Sequence, residues 1–268
     1  MKRFLKIIAS GIGFSSLGVL GMLFSLLGLP ILYLLPGGPV KLRRRTRWFV
    51  FRYFRALAAF LEWAGIFDLR TEALPPRAEL DGVLILATHP GYLDVVILLS
   101  LIDQLTCVVK ADIWNNPLFG WVVRAAGYIP ALDPTMVIEE GAKALARGET
   151  LLLFPEGTRT LPGEPYAFHR GAAHLALQSR APILPILVAC EPPLLAKGHR
   201  WYEMPVDPCD YSFRAIAPLD LPWPGLADLP PSQAARKVTA WLEDRFNQEI
   251  HAAGHHAARH EAVHRQDP

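Results

Sequence analysis

Two short polar stretches interrupt the apolar runs of this 268-residue sequence and carry the residue types that could do chemistry. The first, Thr88-His89-Pro90-Gly91-Tyr92-Leu93-Asp94, follows the apolar run from Val83 to Ala87. The second, Pro155-Glu156-Gly157-Thr158-Arg159-Thr160, follows another, from Thr150 to Phe154. An imidazole that removes a proton needs a partner to fix its tautomer and stabilise the imidazolium, and Asp94, five residues after His89, is of the type to do both. The same pair also suits a plain turn histidine and a carboxylate favoured by the dipole at a helix start. Lys110 ends a third apolar stretch. A histidine base, backbone N–H donors for an oxyanion and Arg159 for bidentate contact with a phosphate suit transfer of a carbonyl group to a hydroxyl near a phosphate.

These residues fall on turns after strands. Pro90 and Gly91 forbid continuation of the Val83–Ala87 strand, and a helix is expected from Asp94 to about Ile102. Leu105 to Val109 reads as a strand. Leu118 to Ala126 reads as a helix closed by Gly127, and Thr135 to Ala146 as another. Thr150 to Phe154 is a strand, Gly171 to Ser179 a small-residue helix and Ile183 to Ala189 a buried strand. Proline is frequent from Cys190 to Pro230 and leaves that stretch without a clear assignment. A last helix is expected from Ser232 to about Ile250, capped by Ser232. The alternation predicts an α/β fold, a mixed, largely parallel sheet flanked by helices, with ligands at the strand C-terminal ends.

The N-terminal stretch has another character. No charged residue occurs from Ile7 to Val40, long enough to span a bilayer core with tilt or to bend back within one leaflet. The length and the lack of a small-x-small site argue against a removed signal peptide after Lys2, Arg3 and Lys6. Lys41, Arg43, Arg44, Arg45 and Arg47 follow, then the aromatics from Trp48 to Trp63 with Arg52 and Arg55 between them. That pattern describes an interfacial helix on anionic headgroups, or an ordinary core helix. The expected organisation is a membrane-embedded segment over 1–40, an interfacial helix over 41–66, a catalytic domain over 67–250 and a flexible histidine-rich tail over 251–268. The positive-inside comparison puts the domain on the cytoplasmic side of the inner membrane.

Net charge is only +2, which gives no reason to expect a nucleic-acid partner. The three cysteines, Cys107, Cys190 and Cys209, have neither disulfide nor metal spacing. The tail pairs such as His251/His255 lack a completing ligand, so no metal is expected. There is no Gly-x-Ser-x-Gly elbow, phosphate loop or dinucleotide glycine fingerprint.

His89-x4-Asp94 together with Phe154-Pro-Glu-Gly-Thr-Arg159 resembles the glycerolipid acyltransferases, the lysophosphatidic acid acyltransferase family. Cys107-Val-Val-Lys110, Asn116-Pro-Leu-Phe-Gly120, Gly127-Tyr-Ile-Pro130 and Ala181-Pro-Ile-Leu-Pro-Ile186 resemble further family stretches in the family's order, from about Val83 to Val188. The resemblance implies direct acyl transfer without an acyl-enzyme and without a cofactor, from acyl-CoA or acyl-carrier protein to 1-acylglycerol-3-phosphate. His89 would be general base and Asp94 its orienter. Lys110, Glu156, Gly157, Thr158 and Arg159 would shape the acceptor site, with Arg159 on the phosphate. Membrane lipids are the expected partners.

Three positions depart from the family pattern. Thr88 and Gly91 stand where the family often has Asn and Ser. Asp133 stands where the second motif commonly has Arg, which puts the phosphate-bearing acceptor in question more than the acyl transfer. Lys110, Arg124 and Arg170 are the cations that could compensate. A glycolipid, lyso-ornithine lipid or aryl-polyene-type acceptor is the alternative within the same chemistry, and a non-catalytic membrane adaptor the alternative outside it.

Overall fold

The computed structural model describes residues 2–160, 164–196, 198–221, 223–226 and 228–264, with side chains described from 3 to 250. It opens with helices α1 (Lys2–Leu23), α2 (Leu29–Leu34) and α3 (Gly38–Trp63). Strands β1 (Phe67–Glu72) and β2 (Leu84–Ala87) follow, then α4 (Asp94–Leu101), β3 (Thr106–Lys110), α5 (Ala111–Trp114), α6 (Gly120–Ala125) and β4 (Ile129–Ala131). The chain continues with α7 (Pro134–Ala146), β5 (Leu151–Leu153), α8 (Arg170–Ser179), β6 (Ile183–Glu191), β7 (Cys209–Ala215) and α9 (Pro231–His264).

The seven strands lie in the order β1-β7-β6-β2-β5-β3-β4. The run β6, β2, β5, β3, β4 is parallel throughout, whereas β7 is antiparallel to β6 and pairs in parallel with β1. This is the mixed, largely parallel sheet that the alternation predicts. Because side chains alternate across a strand, β2 feeds both faces. Ile85 and Ala87 join the core beneath α3 and α4, and Leu84 and Leu86 join the core beneath α7, α8 and α9. A strand covered on both faces can be apolar throughout, as Leu84–Ala87 is.

Two strands escape the sequence reading. β1 opens the domain expected over 67–250, and β7 lies inside the proline-rich stretch. Both alternate apolar and polar residues, and in β7 Cys209, Tyr211, Phe213 and Ala215 are buried while Asp210, Ser212 and Arg214 are partly exposed. Flanking prolines mask that period-2 signal. At the other end, the backbone of α9 continues to His264, beyond the predicted end near Ile250. The tail histidine side chains, and the metal pairs considered for them, lie outside the described residues.

The apolar N-terminus folds as a helical hairpin. A π-helical turn, Phe24–Gly28, joins α1 to α2, which carries Pro30 in its first turn. Pro30 cannot donate to residue 26 and its ring crowds that carbonyl, and a widened turn relieves both. Gly37, at φ 124°, reverses the chain into α3. The two arms pack through Gly13 against Leu57 and Leu61, a Ser16–Tyr53 hydrogen bond of 2.8 Å and stacked Phe24 and Phe49 rings at 3.8 Å. α3 is more than an interfacial helix, since Val50, Leu57, Ala58 and Leu61 belong to the core while Trp48 and Trp63 face outward.

One buried cation ties α3 to the sheet. Arg47, 6% exposed, donates from Nε to the Ala126 carbonyl at 2.7 Å and from Nη2 to Glu149 Oε2 at 2.7 Å. Glu149 also accepts from Thr106 and Arg147. Burial pushes its carboxyl up, but Arg47 and the hydrogen bonds from Arg147 and Thr106 outweigh that and hold it below the usual range. Arg47→Ala leaves carbonyls and a carboxylate under-supplied, and the variant should lose roughly 3 kcal/mol of unfolding free energy. Denaturant unfolding in detergent reads this directly, and an unchanged midpoint would contradict it.

Candidate active site

The C-terminal ends of β2, β5, β6 and β3 share one edge of the sheet, and the two polar turns leave from it. β2 ends at Ala87, and Thr88 then prolongs the pairing by other means. Its hydroxyl accepts from Val188 N at 2.8 Å and donates to Val188 O at 3.3 Å. Pro90 and Gly91 turn the chain, and Asp94 opens α4.

His89 Nδ1 lies 2.7 Å from Asp94 Oδ2. With the proton on Nδ1 donated to the carboxylate, Nε2 carries the free lone pair a general base needs. The ring is stacked on Phe154 at 4.3 Å, which fixes its plane. Asp94 is fully buried and collects two more donors: Gly91 N–H to Oδ2 at 2.9 Å and the Tyr211 hydroxyl to Oδ1. Burial pushes its carboxyl above the ordinary range, opposed by His89, then Tyr211 and Gly91.

Glu156 is also buried, 3% exposed, and serves the turns themselves. It accepts from the backbone N–H of His89 at 2.8 Å and from the Thr160 hydroxyl, while Thr160 N–H returns to the His89 carbonyl at 3.1 Å. The two polar stretches are therefore stitched to each other, and Thr160 is a member of the site that the sequence reading passes over. Gly157 takes a left-handed φ of +67°, and a Cβ there would lie 2.7 Å from the His169 ring. Its N–H donates to Phe154 O at 3.1 Å, and that of Gly91 to Asp94 Oδ2. Arg159 donates through Nη1 to the Leu195 carbonyl at 2.8 Å and covers the Tyr92 ring at 5.6 Å, with its remaining N–H groups outside those contacts.

The structure brings His89, Asp94, Glu156, Gly157 and Arg159 together. Thr158 is exposed on the same turn, and Lys110 is exposed at the end of β3, two strands from β2. Of the other cations considered, Arg124 is spent on the Trp114 carbonyl and the Trp114 and Trp121 rings, and Arg170 begins α8. Asp133 is exposed and caps α7, accepting from Thr135 N–H at 3.2 Å. A carboxylate there satisfies an orphan helix donor, which an arginine could not do. Tyr211, the last member of the Asp94 cluster, comes from the unassigned β7. Among the described residues no group of three or more His, Cys, Asp or Glu is arranged to hold a metal.

The family model for Acyltransferase matches residues 69–189. A lyso-ornithine lipid O-acyltransferase of Pseudomonas aeruginosa is 32% identical over 161 residues, covering 58% of each chain. A 1-acyl-sn-glycerol-3-phosphate acyltransferase of the same organism is 32% identical over 108 residues, covering 38% of this chain and 42% of that one. One from Cocos nucifera is 34% identical over 110 residues, covering 38% and 36%. These matches thus span well under two thirds of each relative's length. The crystal structure of the lysophosphatidic acid acyltransferase PlsC from Thermotoga maritima superposes with a TM-score of 0.67 at 18% identity, covering 94% of this chain and 98% of that one, a likeness of fold.

Asp94 also sets a pH test. A carboxyl whose folded pKa lies above its unfolded value costs stability once pH exceeds the unfolded value. The stability of Asp94→Asn relative to the native chain should therefore rise as pH increases from about 4. Paired denaturant melts across acidic and neutral pH read the difference, and a constant gap would contradict it.

Proposed function

We propose, from the premise that residues 69–189 form an acyltransferase domain of the glycerolipid family, that this protein acylates the free hydroxyl of a lyso-lipid at a membrane surface. The observation that carries the reading is the His89 Nδ1–Asp94 contact at 2.7 Å on the turn after β2. His89 Nε2 takes the acceptor's hydroxyl proton as that oxygen attacks the thioester carbonyl of acyl-CoA or acyl-carrier protein. The carbon–sulfur bond breaks, and the leaving thiolate takes the proton back from the imidazolium. Asp94 stabilises the transient cation, and no acyl group passes through the protein. Glu156, Gly157 and Thr160 hold the two turns in register. Arg159 offers its unused N–H groups to the acceptor headgroup, with Thr158 beside it and Lys110 further along the edge.

The acceptor that suits Arg159 is 1-acylglycerol-3-phosphate, giving phosphatidic acid. Asp133 favours a second reading. An anion in place of an expected cation disfavours a phosphate and suits an ammonium, such as that of ornithine, and the relative matched over 161 residues is a lyso-ornithine lipid O-acyltransferase. The chemistry is the same for both acceptors.

The hairpin supports the membrane setting. Residues Arg3–Leu34 are long and apolar enough to cross a bilayer, and their outward face exposes Phe4, Ile12, Val19, Leu26, Leu27, Ile31 and Leu34. Lys41, Arg43, Arg44 and Arg45 lie just past the turn, and Arg45 donates to the Pro36 carbonyl at 3.0 Å. Cations so near the tip oppose its passage through hydrocarbon and favour a hairpin seated in one leaflet, among anionic headgroups of the cytoplasmic face. Phe14 meets Tyr92 at 6.0 Å, so the hairpin touches the catalytic turn. Phe14, Leu17, Leu57, Leu93 and Leu195 line a small apolar cavity beside it, which carries the core up to the turn.

Purified protein with labelled acyl-CoA or acyl-carrier protein and a panel of lyso-lipids tests the reading. Transfer to a lyso-lipid hydroxyl is expected, and His89→Ala should reduce it by about 100- to 10,000-fold. Near-normal turnover in that variant would refute the assignment. Asp133→Arg should raise the ratio of lysophosphatidate to lyso-ornithine acylation if Asp133 selects the headgroup. No product from any acceptor would favour the adaptor alternative.

A further inference from the structure

His89 engages one oxygen of Asp94, and the other is held by Tyr211. Tyr211 stands opposite Cys190 in the antiparallel β6–β7 pair, so the reversed strand returns to the edge where β2 ends. Its ring is fully buried, edge-on to Phe67 at 5.7 Å and tilted against Phe213 at 5.3 Å. The hydroxyl donates to Asp94 Oδ1, while Oδ2 receives His89 and Gly91. The charged or titratable groups around the phenol are Asp94 from α4, Cys190 from β6 and Cys209 from its own strand. Burial first, then Asp94 and Cys190, pushes the phenol well above its ordinary range, so it stays a donor.

Gly91 supplies the second observation. A Cβ at that position would lie 2.8 Å from the Tyr211 hydroxyl, 3.2 Å from Asp94 Oδ1 and 3.2 Å from the Leu194 carbonyl. Gly91 is not among the residues with positive φ, so its backbone does not call for glycine. The tyrosine hydroxyl does. The two residues form a matched pair, in which an absent side chain on the catalytic turn makes room for a donor from the opposite end of the domain.

We propose that Tyr211 is a positioning residue for acyl transfer, its hydroxyl seated over Gly91 and holding the Asp94 carboxylate in the orientation that aims His89. The inference rests on the reading of His89 as the general base. It predicts that the donor is exchangeable, because a serine hydroxyl at position 91 comes within reach of Asp94 Oδ1 once the phenol oxygen is gone.

The test is a set of variants in the 268-residue chain. Tyr211→Phe should lower kcat by about 10- to 100-fold with KM nearly unchanged, the effect of losing a hydrogen bond to a charged group. Gly91→Ser added to Tyr211→Phe should recover most of that loss, whereas Gly91→Ala in the same background, which fills the space without a hydroxyl, should not. The proton resonance of the His89 Nδ1–H, which needs no substrate, should shift in Tyr211→Phe and return toward its native position with Gly91→Ser. Turnover or resonance unmoved in Tyr211→Phe, or recovered no better by serine than by alanine, would overturn the proposal. A native protein that acylates no acceptor while the resonance behaves as expected would refute the acyl-transfer reading and leave the positioning of Asp94 by Tyr211 standing.

Discussion

A carboxylate without solvent contact must be given donors by the protein, and Asp94 is such a group. Burying an unpaired charge costs far more than any single contact returns, so the fold is constrained to bring donors to both oxygens. They come from three places: the turn itself through Gly91, the imidazole of His89, and Tyr211 on a strand more than a hundred residues later. The orientation of the candidate base is therefore a consequence of satisfying a buried acid. The reversal of β7 against an otherwise parallel run is what carries the most distant donor to that edge.

The same logic recurs with Glu156 and Glu149. Glu156 takes the His89 N–H and the Thr160 hydroxyl, so the second polar turn is locked onto the first. Glu149, just before β5, takes Arg47 and Thr106 and thereby fixes α3 at the opposite ends of the strands. One edge of the sheet thus carries the His89–Asp94 pair and the other the Arg47 anchor. The apolar hairpin connects the two, since α3 is held by Arg47 while α1 reaches Tyr92 through Phe14. The His89–Asp94 pair is thereby placed beside the exposed apolar face of the hairpin.

Much of this was legible in the residues. Apolar runs ending in Pro-Gly or Pro-Glu-Gly mark strand ends, and the spacing of His89 and Asp94 matches a turn followed by the first residue of a helix. Fully apolar strands such as Leu84–Ala87 announce a sheet covered on both faces. What stayed hidden depends on distance along the chain. No local pattern says that Tyr211 meets Asp94, that Glu156 serves the His89 backbone donor, or that a Cβ at Gly91 would meet a tyrosine hydroxyl. Asp133 shows the reverse case, in which a departure visible in sequence acquires a local structural reason as a helix cap.

In the proposed single-step transfer the acyl group passes from thioester to hydroxyl while His89 holds the proton. Rapid-quench analysis with a labelled acyl donor tests it most directly, run first without acceptor and then with a lyso-lipid. No label on the protein is expected in the first case, and label only in the acylated lipid in the second. Stoichiometric label bound to the protein before acceptor is added would contradict it.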